Sequence, residues 1–315
     1  MLVKIAKDRL RKGMFIESVS CPSHEFARRR FLLKSDRDMG AILASSATEV
    51  SINLGLGLDA DGRQPDAAAA AAAGGPRRAP DALRAEAVRG AVSQSARALR
   101  ASLGDIVSGQ PIDMSSLSRA AEDNAGLWSD SAIIALEVTR LKSKDETTYV
   151  HSLAVSGMMT LLARALDMDE ETAGLLGVAG MLHDIGKLLI PSEILSKPTA
   201  LTDAEREIIR NHPEAGYRLL RSHPQIPPVV LDICRLHHEV LDGSGYPLGL
   251  RQKDLSTSVR LSTVCDVFEA LTSVRPYKRP WTTTEAVNWM YARPHLFDRK
   301  MVIRLGSVLV DEPIT

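Results

Sequence analysis

The chain has 315 residues, too many for one average core and enough for two domains with a connector. Its 39 basic residues balance 39 acidic ones, which argues against long DNA or RNA as a partner but leaves room for a small anionic nucleotide. Cys21, Cys234 and Cys265 are too few and too scattered for a disulfide framework, and no stretch reaches the roughly eighteen apolar residues of a membrane span, so a soluble, cytoplasmic protein in a reducing compartment is expected.

Residues 1–58 mix short apolar stretches, Gly13 to Ile16 and Arg30 to Leu33, with turn residues, and they end in the alternating run Glu49 to Leu54. This pattern predicts a small mixed domain of strands with one helix near residues 35–46. Within it Arg28, Arg29 and Arg30 could hold an anion or an acidic partner, although such runs are commonly just solvated, and His24 stands alone. Residues 59–80 contain seven consecutive alanines, 67–73, flanked by Gly and Pro, and read as a linker or long loop. Residues 81–142 predict connecting helices, one from Asp81 to about Ser108 and one from Ser115 or Asp130 through Leu141, which could also support a homodimer.

From residue 143 to 315 the chain reads as successive helices, so the second domain is expected to be all-helical and the whole protein mainly α. His151 falls near the start of one helix. A second, from about Glu170, runs directly into His183. A third covers Asp203 to Leu220, with Pro213 predicting a break beside His212. Val229 to Val240 carries His237 and His238 about 100° apart around a helix, and Leu255 to Ser273 carries Asp266.

His151, His183, Asp184, His212, His237, His238 and Asp266 make a spaced set of imidazole and carboxylate donors without thiolate. Such a set suits iron, manganese or another divalent ion better than a structural zinc knot. Asp184, adjacent to His183, can bridge two ions at the separation of about 3.5–4 Å that lets them share a hydroxide. Lys187, one turn on, is expected to aim its ammonium at a bound phosphate. A glycine-rich turn, Asp242 to Pro247, follows the double histidine, and the combination predicts a metal-dependent phosphohydrolase.

The stretch Lys144 to Ser152, His183-Asp184-Ile185-Gly186-Lys187, His212-Pro213, His237-His238-Glu239 and Asp242-Gly243-Ser244-Gly245-Tyr246-Pro247 together resemble the HD-GYP family of cyclic di-GMP phosphodiesterases over about residues 144–300. Arg275-Pro276-Tyr277 fits that resemblance too, and residues 10–15 with 30–34 resemble the small domain often found before bacterial HD-GYP modules. The resemblance implies an HD-superfamily helical domain that hydrolyses cyclic di-GMP to pGpG, and then more slowly to GMP, by attack of a metal-bridging hydroxide on phosphorus. Asp184 and Lys187 would be catalytic, and Lys187, Gly243, Gly245, Tyr246, Pro247 and Arg275 would line the substrate. It also implies contact with a diguanylate cyclase (GGDEF) domain. Some members place a glutamate one turn before the first histidine to help hold a third ion. Here that position is Thr147, which favours two ions. The closing segment lacks the family's usual Tyr-Pro, so a shortened or altered last helix is expected. The rival function is a cyclic di-GMP receptor or cyclase-docking module with little turnover, and a hydrolase for another cyclic dinucleotide or a nucleotide monophosphate stays open.

Overall fold

A computed structural model describes residues 2–21, 26, 31–33, 35–53, 58, 79–140, 147–195, 197, 199–274 and 279–309. The expectations placed on His24, on Arg28, Arg29 and Arg30, on the alanine run and on Arg275 lie outside these residues. Two compact units emerge, one up to Ala82 and one over Leu83–Leu309.

In the first unit, strands β1 (Leu2–Ala6), β2 (Phe15–Val19), β3 (Phe31–Leu32) and β4 (Glu49–Asn53) form one antiparallel sheet in the order β1-β4-β2-β3. Alternation decides its faces: Ile5, Ile16, Val50 and Ile52 point into the core, and a one-residue shift comes between Ile16 and Ser18 in the pairing with β4. Helix α1 (Asp36–Ala44) starts where the Ser35 hydroxyl accepts from the backbone N–H groups of Arg37 and Asp38, and it buries Ile42 in the same core.

The second unit is helical. Helix α2 (Ala79–Val107) buries Ala85, Val88, Val92, Ala96, Leu99, Leu103 and Ile106, the three-and-four spacing of one helix face. Of residues 81–142, expected as connecting helices, the remainder forms α3 (Met114–Asp130) and α4 (Ala132–Arg140), parted at the extended Ser131 and packed within this unit. Asp113 caps α3, whose Trp128 is fully buried, and its Asn124 amide donates to the Leu153 carbonyl at 2.9 Å.

Helix α5 (Thr147–Ala165) runs through the centre and is buried from Val150 to Thr160 without a solvent face. Around it stand α6 (Glu170–Leu182), the short α7 (Ser192–Leu195), α8 (Asp203–Arg210), α9 (His212–Leu220), α10 (Pro228–Leu236), α11 (Thr257–Thr272), α12 (Thr283–Tyr291) and α13 (Arg299–Leu309). The break predicted at Pro213 separates α8 from α9, with a Thr202–Glu205 capping box opening α8. The closing residues make a full eleven-residue helix that packs on α5 and α12, and Asp298 just before it pairs with Arg260 of α11 at 2.8 Å. Among the described residues no helix is long and apolar enough to cross a membrane.

The centre is tight enough that single atoms matter. A Cβ on Gly157 would lie 2.2 Å from Cδ1 and Nε1 of Trp128, because the indole lies directly against the α5 backbone. Gly157→Ala is therefore expected to lower the unfolding free energy by about 1–3 kcal/mol. Denaturant unfolding measures this, and an unchanged midpoint would mean the indole has room to shift.

Candidate metal centre

All seven predicted ligands come together, and most arrive from helix ends. His151 sits in the second turn of α5. His183 is the C-cap of α6, and Asp184, at φ −100° and ψ 10°, turns the chain into a short 3-10 segment, Ile185–Leu189. His212 opens α9 and is buried. His237 is the C-cap of α10 and His238 follows it in a turn, so the two do not lie around one helix as expected; their rings are 4.2 Å apart because the chain leaves the helix between them. Asp266 lies buried in the middle of α11. Gly186 permits the close approach that joins these parts: a Cβ there would be 2.0 Å from the His212 carbonyl oxygen and 2.7 Å from the Gly216 nitrogen.

Asp184 is the hub. Its Oδ2 lies 3.3 Å from Nε2 of both His151 and His183, and its Oδ1 lies 3.1 Å from Nε2 of His212 and 3.6 Å from Nε2 of His237. Asp266 completes the first half with Oδ1 at 3.3 Å from His151 Nε2, and its Oδ2 is 3.6 Å from His238 Nδ1. The ligand atoms of His151, His183 and Asp266 fall within 4.8 Å of one another, as do those of Asp184, His212, His237 and His238.

The donor chemistry fits divalent cations. His183 Nδ1 donates to the Gly180 carbonyl at 2.8 Å, His212 Nδ1 to that of Ile209 at 2.7 Å, and His237 Nδ1 to those of Ile233 and Cys234 at 3.1 and 3.0 Å. A carbonyl can only accept, so a proton sits on each Nδ1 and Nε2 is the ring nitrogen turned inward, the one that can serve as a ligand. Pairs of these nitrogens face each other at 3.2 Å (His151 and His183) and 3.3 Å (His212 and His237), and the buried Asp184 Oδ1 has no hydrogen-bond donor. The inward nitrogens of His212 and His237, beside the unsatisfied Asp184 Oδ1, suit a cation between them.

Electrostatics sharpen the picture. Burial alone would raise the Asp184 carboxyl, but Lys187 and the surrounding imidazoles hold it well below the usual carboxylate range; burial is likewise overcome at Asp266, chiefly by His151. Burial pushes His237 down to about 4 and His238 well below its ordinary value. At His151 burial also pushes downward, yet Glu269 and the two aspartates lift it well above normal, so a metal must displace a proton there. Lys187, expected to face phosphate, bonds its ammonium to Asp184 Oδ2 at 2.6 Å while staying partly exposed.

Three residues support the centre in roles the sequence does not assign, Glu239 among them although it belongs to the His237-His238-Glu239 motif. Glu269, one turn after Asp266, accepts from His151 Nδ1 at 2.6 Å and from the Ser273 hydroxyl at 2.5 Å. Glu239, fully buried, accepts from the backbone N–H groups of Leu248, Gly249 and Leu250 at 2.6, 3.0 and 3.0 Å and so ties down the glycine-rich loop. Thr263 donates to the carbonyls of His237 and Glu239, fixing the turn that holds the double histidine. Of the loop residues, Gly245 packs on that turn, where a Cβ would be 2.6 Å from the His238 carbonyl oxygen, and Tyr246 stacks on the His238 ring at 4.6 Å. Gly243, at φ +83°, faces Gly249 and Arg251 at the loop's neck rather than the metal ligands, and Pro247 follows Tyr246 through a cis peptide.

A family model described as HD domain matches residues 130–301, and one described as a domain of unknown function (DUF3391) matches residues 2–117. The chain is 39% identical over 303 residues to the cyclic di-GMP phosphodiesterase PA4108 of Pseudomonas aeruginosa, covering 92% of this chain and 72% of that protein. It is 39% identical over 164 residues to the cyclic di-GMP phosphodiesterase response regulator RpfG of Xanthomonas campestris pv. campestris, covering 51% of this chain and 43% of that one. The fold matches Bd1817, an HDG"Y"P protein from Bdellovibrio bacteriovorus, with a TM-score of 0.57 at 17% identity over 98% of this chain and 99% of that chain.

Glu269→Gln keeps an acceptor for His151 but removes the charge that steadies it. The variant is expected to bind metal about 10- to 100-fold more weakly. Elemental analysis after dialysis against graded chelator reads the change, and equal retention would reduce Glu269 to a packing residue.

Proposed function

The chain belongs to the HD-GYP family of HD-domain phosphodiesterases, and on that premise we propose that it hydrolyses cyclic di-GMP to pGpG, and more slowly to GMP. The observation that carries this reading is the Asp184 carboxylate, with two imidazole nitrogens on each of its oxygens and the Lys187 ammonium alongside. Two divalent ions in the two ligand groups, iron or manganese by ligand chemistry, would supply an acidified water as nucleophile and Lewis-acid neutralisation of the phosphoryl oxygens. The chain's own residues do the rest. Asp184 lies between the two groups and orients what binds on either side. Lys187, partly exposed and one bond from Asp184, swings to a nonbridging phosphate oxygen as charge builds there. The P–O3′ bond breaks and the ribose oxygen takes a proton from solvent. Tyr246, stacked on His238, forms one wall for the nucleotide, and Gly245 lets the loop backbone run close to the ligand turn; Arg275 is proposed as a substrate contact from the sequence resemblance alone.

Two ions rather than three is the count we favour, because the residue one turn before His151 is Thr147 and offers a hydroxyl instead of a carboxylate. The reading extends to a diguanylate cyclase (GGDEF) domain docking at the loop, where Leu248 is half exposed, to a homodimer, and to a cytoplasmic location, which the three free thiols suit.

Chromatography of cyclic di-GMP incubated anaerobically with Fe(II)- or Mn(II)-loaded protein tests the proposal. Appearance of pGpG is expected, abolished by Asp184→Ala and slowed about 100- to 1,000-fold in kcat by Lys187→Ala. Fully loaded protein that binds the dinucleotide but releases no product would turn the reading to a receptor.

A further inference from the structure

Arg210 is the last residue of α8 and stands two residues before the ligand His212. It is exposed and forms no ion pair among the described residues, whereas several basic residues near it in sequence are engaged: Lys187 with Asp184, Lys197 with Glu205, Arg206 with Asp203, and Arg218 and Arg235 with Glu214. Its guanidinium carbon lies 4.7 Å from the centroid of the Tyr246 ring, which in turn stacks on the ring of the ligand His238 at 4.6 Å. The backbone is held just as firmly, because the Ile209 carbonyl accepts from His212 Nδ1 at 2.7 Å. Both the side chain and the main chain of Arg210 are therefore referred to metal ligands, one through Tyr246 and one through Ile209. Tyr246 senses both sides of this arrangement: burial chiefly raises its phenol, Asp266 and Asp184 raise it further, and Arg210 opposes them.

A guanidinium resting on an aromatic face keeps the N–H donors at its edge free for a planar pair of acceptors. The scissile phosphodiester is already provided for by the metal ligands and Lys187. We infer that Arg210, anchored on Tyr246, is a substrate-positioning residue that grips the part of the dinucleotide remote from the scissile bond, through a two-acceptor edge. In a cyclic dinucleotide that edge is either the pair of nonbridging oxygens on the second phosphate or the O6/N7 edge of a guanine. The inference rests on the cyclic dinucleotide reading above.

The test compares kcat/KM of the metal-loaded full chain for cyclic di-GMP and for bis(p-nitrophenyl) phosphate, a single phosphodiester without the remote part. Arg210→Ala should lower the ratio of the two about 10- to 100-fold, mainly through KM for the dinucleotide, the loss of a charge-assisted contact. Arg210→Lys, which keeps the charge but not the fork, should recover only part. Cyclic di-AMP and 3′3′-cGAMP separate the sources: a similar loss on all three dinucleotides assigns the second phosphate, and a loss graded by guanine content assigns the base edge. Metal content and circular dichroism of the variants should match the wild type. An unchanged ratio, with wild-type protein cleaving cyclic di-GMP, overturns the assignment of Arg210 alone. Wild-type protein that cleaves the nitrophenyl ester but no dinucleotide overturns the substrate reading, and the Arg210 assignment falls with it.

Discussion

An imidazole offers a bare lone pair at Nε2 only while its proton is held at Nδ1, and the metal centre depends on holding that proton in four separate rings. Three of the four use the same device. The last carbonyls of a helix lack intrahelical partners, and His183, His212 and His237 each stand at or just past such an end, with Nδ1 reaching back three or four residues to Gly180, Ile209, or Ile233 and Cys234. Each such contact engages a carbonyl at a helix end, places the ring proton on Nδ1 and aims a candidate ligand, although the Ile233 carbonyl also accepts from the His237 backbone N–H. His151 cannot use it, because it lies inside α5, where the carbonyls are already engaged. Its proton needs another acceptor, and Glu269 on α11 supplies one, itself steadied by Ser273.

The surrounding fold follows from bringing these helix ends to one point. α5 must be buried on every side to deliver His151 to the middle of the unit, so its length from Val150 to Thr160 is covered by neighbours that include α3, α6 and α11. Gly186 and Gly245 stand where two backbones pass too closely for any side chain: the first lets the Asp184 turn press on α9, and the second lets the loop press on the double histidine. Burying the Asp184 and Asp266 carboxylates with four imidazoles, and a fifth half-buried at His238, would be costly without compensation. Lys187 supplies part of it at Asp184, and the geometry leaves the remainder to cations.

Much of this was legible in the chain itself, for a definite reason. Imidazole and carboxylate are the donors that iron- or manganese-type ions favour, so the His183-Asp184 pair, the double histidine and their distant partners stood out by residue type, and Pro213 marked the break before α9 because it cannot continue α8. The supporting residues carried no such mark. Glu239 and Glu269 are ordinary glutamates in sequence, and only the fold turns one toward three loop amides and the other toward His151. A rule could have found Glu269: a ligand histidine inside a helix needs a carboxylate behind it. The placing of α3 and α4 was not legible either, since an amphipathic helix declares that it has a buried face but not what covers it; the match of Trp128 to the bare backbone at Gly157 exists only in three dimensions.

Under the proposed function, chemistry and recognition fall to different parts of this arrangement, which meet at two residues. The ligands come from helix ends locked by carbonyls, while the rim comes from the loop that Glu239 tethers and from the last turn of α8. The rim touches the centre at His238, under Tyr246, and at His212, bonded to Ile209. Under the proposed function, a substitution of the Arg210 side chain can therefore alter the grip on substrate without disturbing His212, whose tautomer rests on the Ile209 carbonyl and not on that side chain. A substitution at Glu239 differs in kind: the fully buried carboxylate directly follows His238 and holds three loop amides, so its loss disturbs ligand turn and rim together.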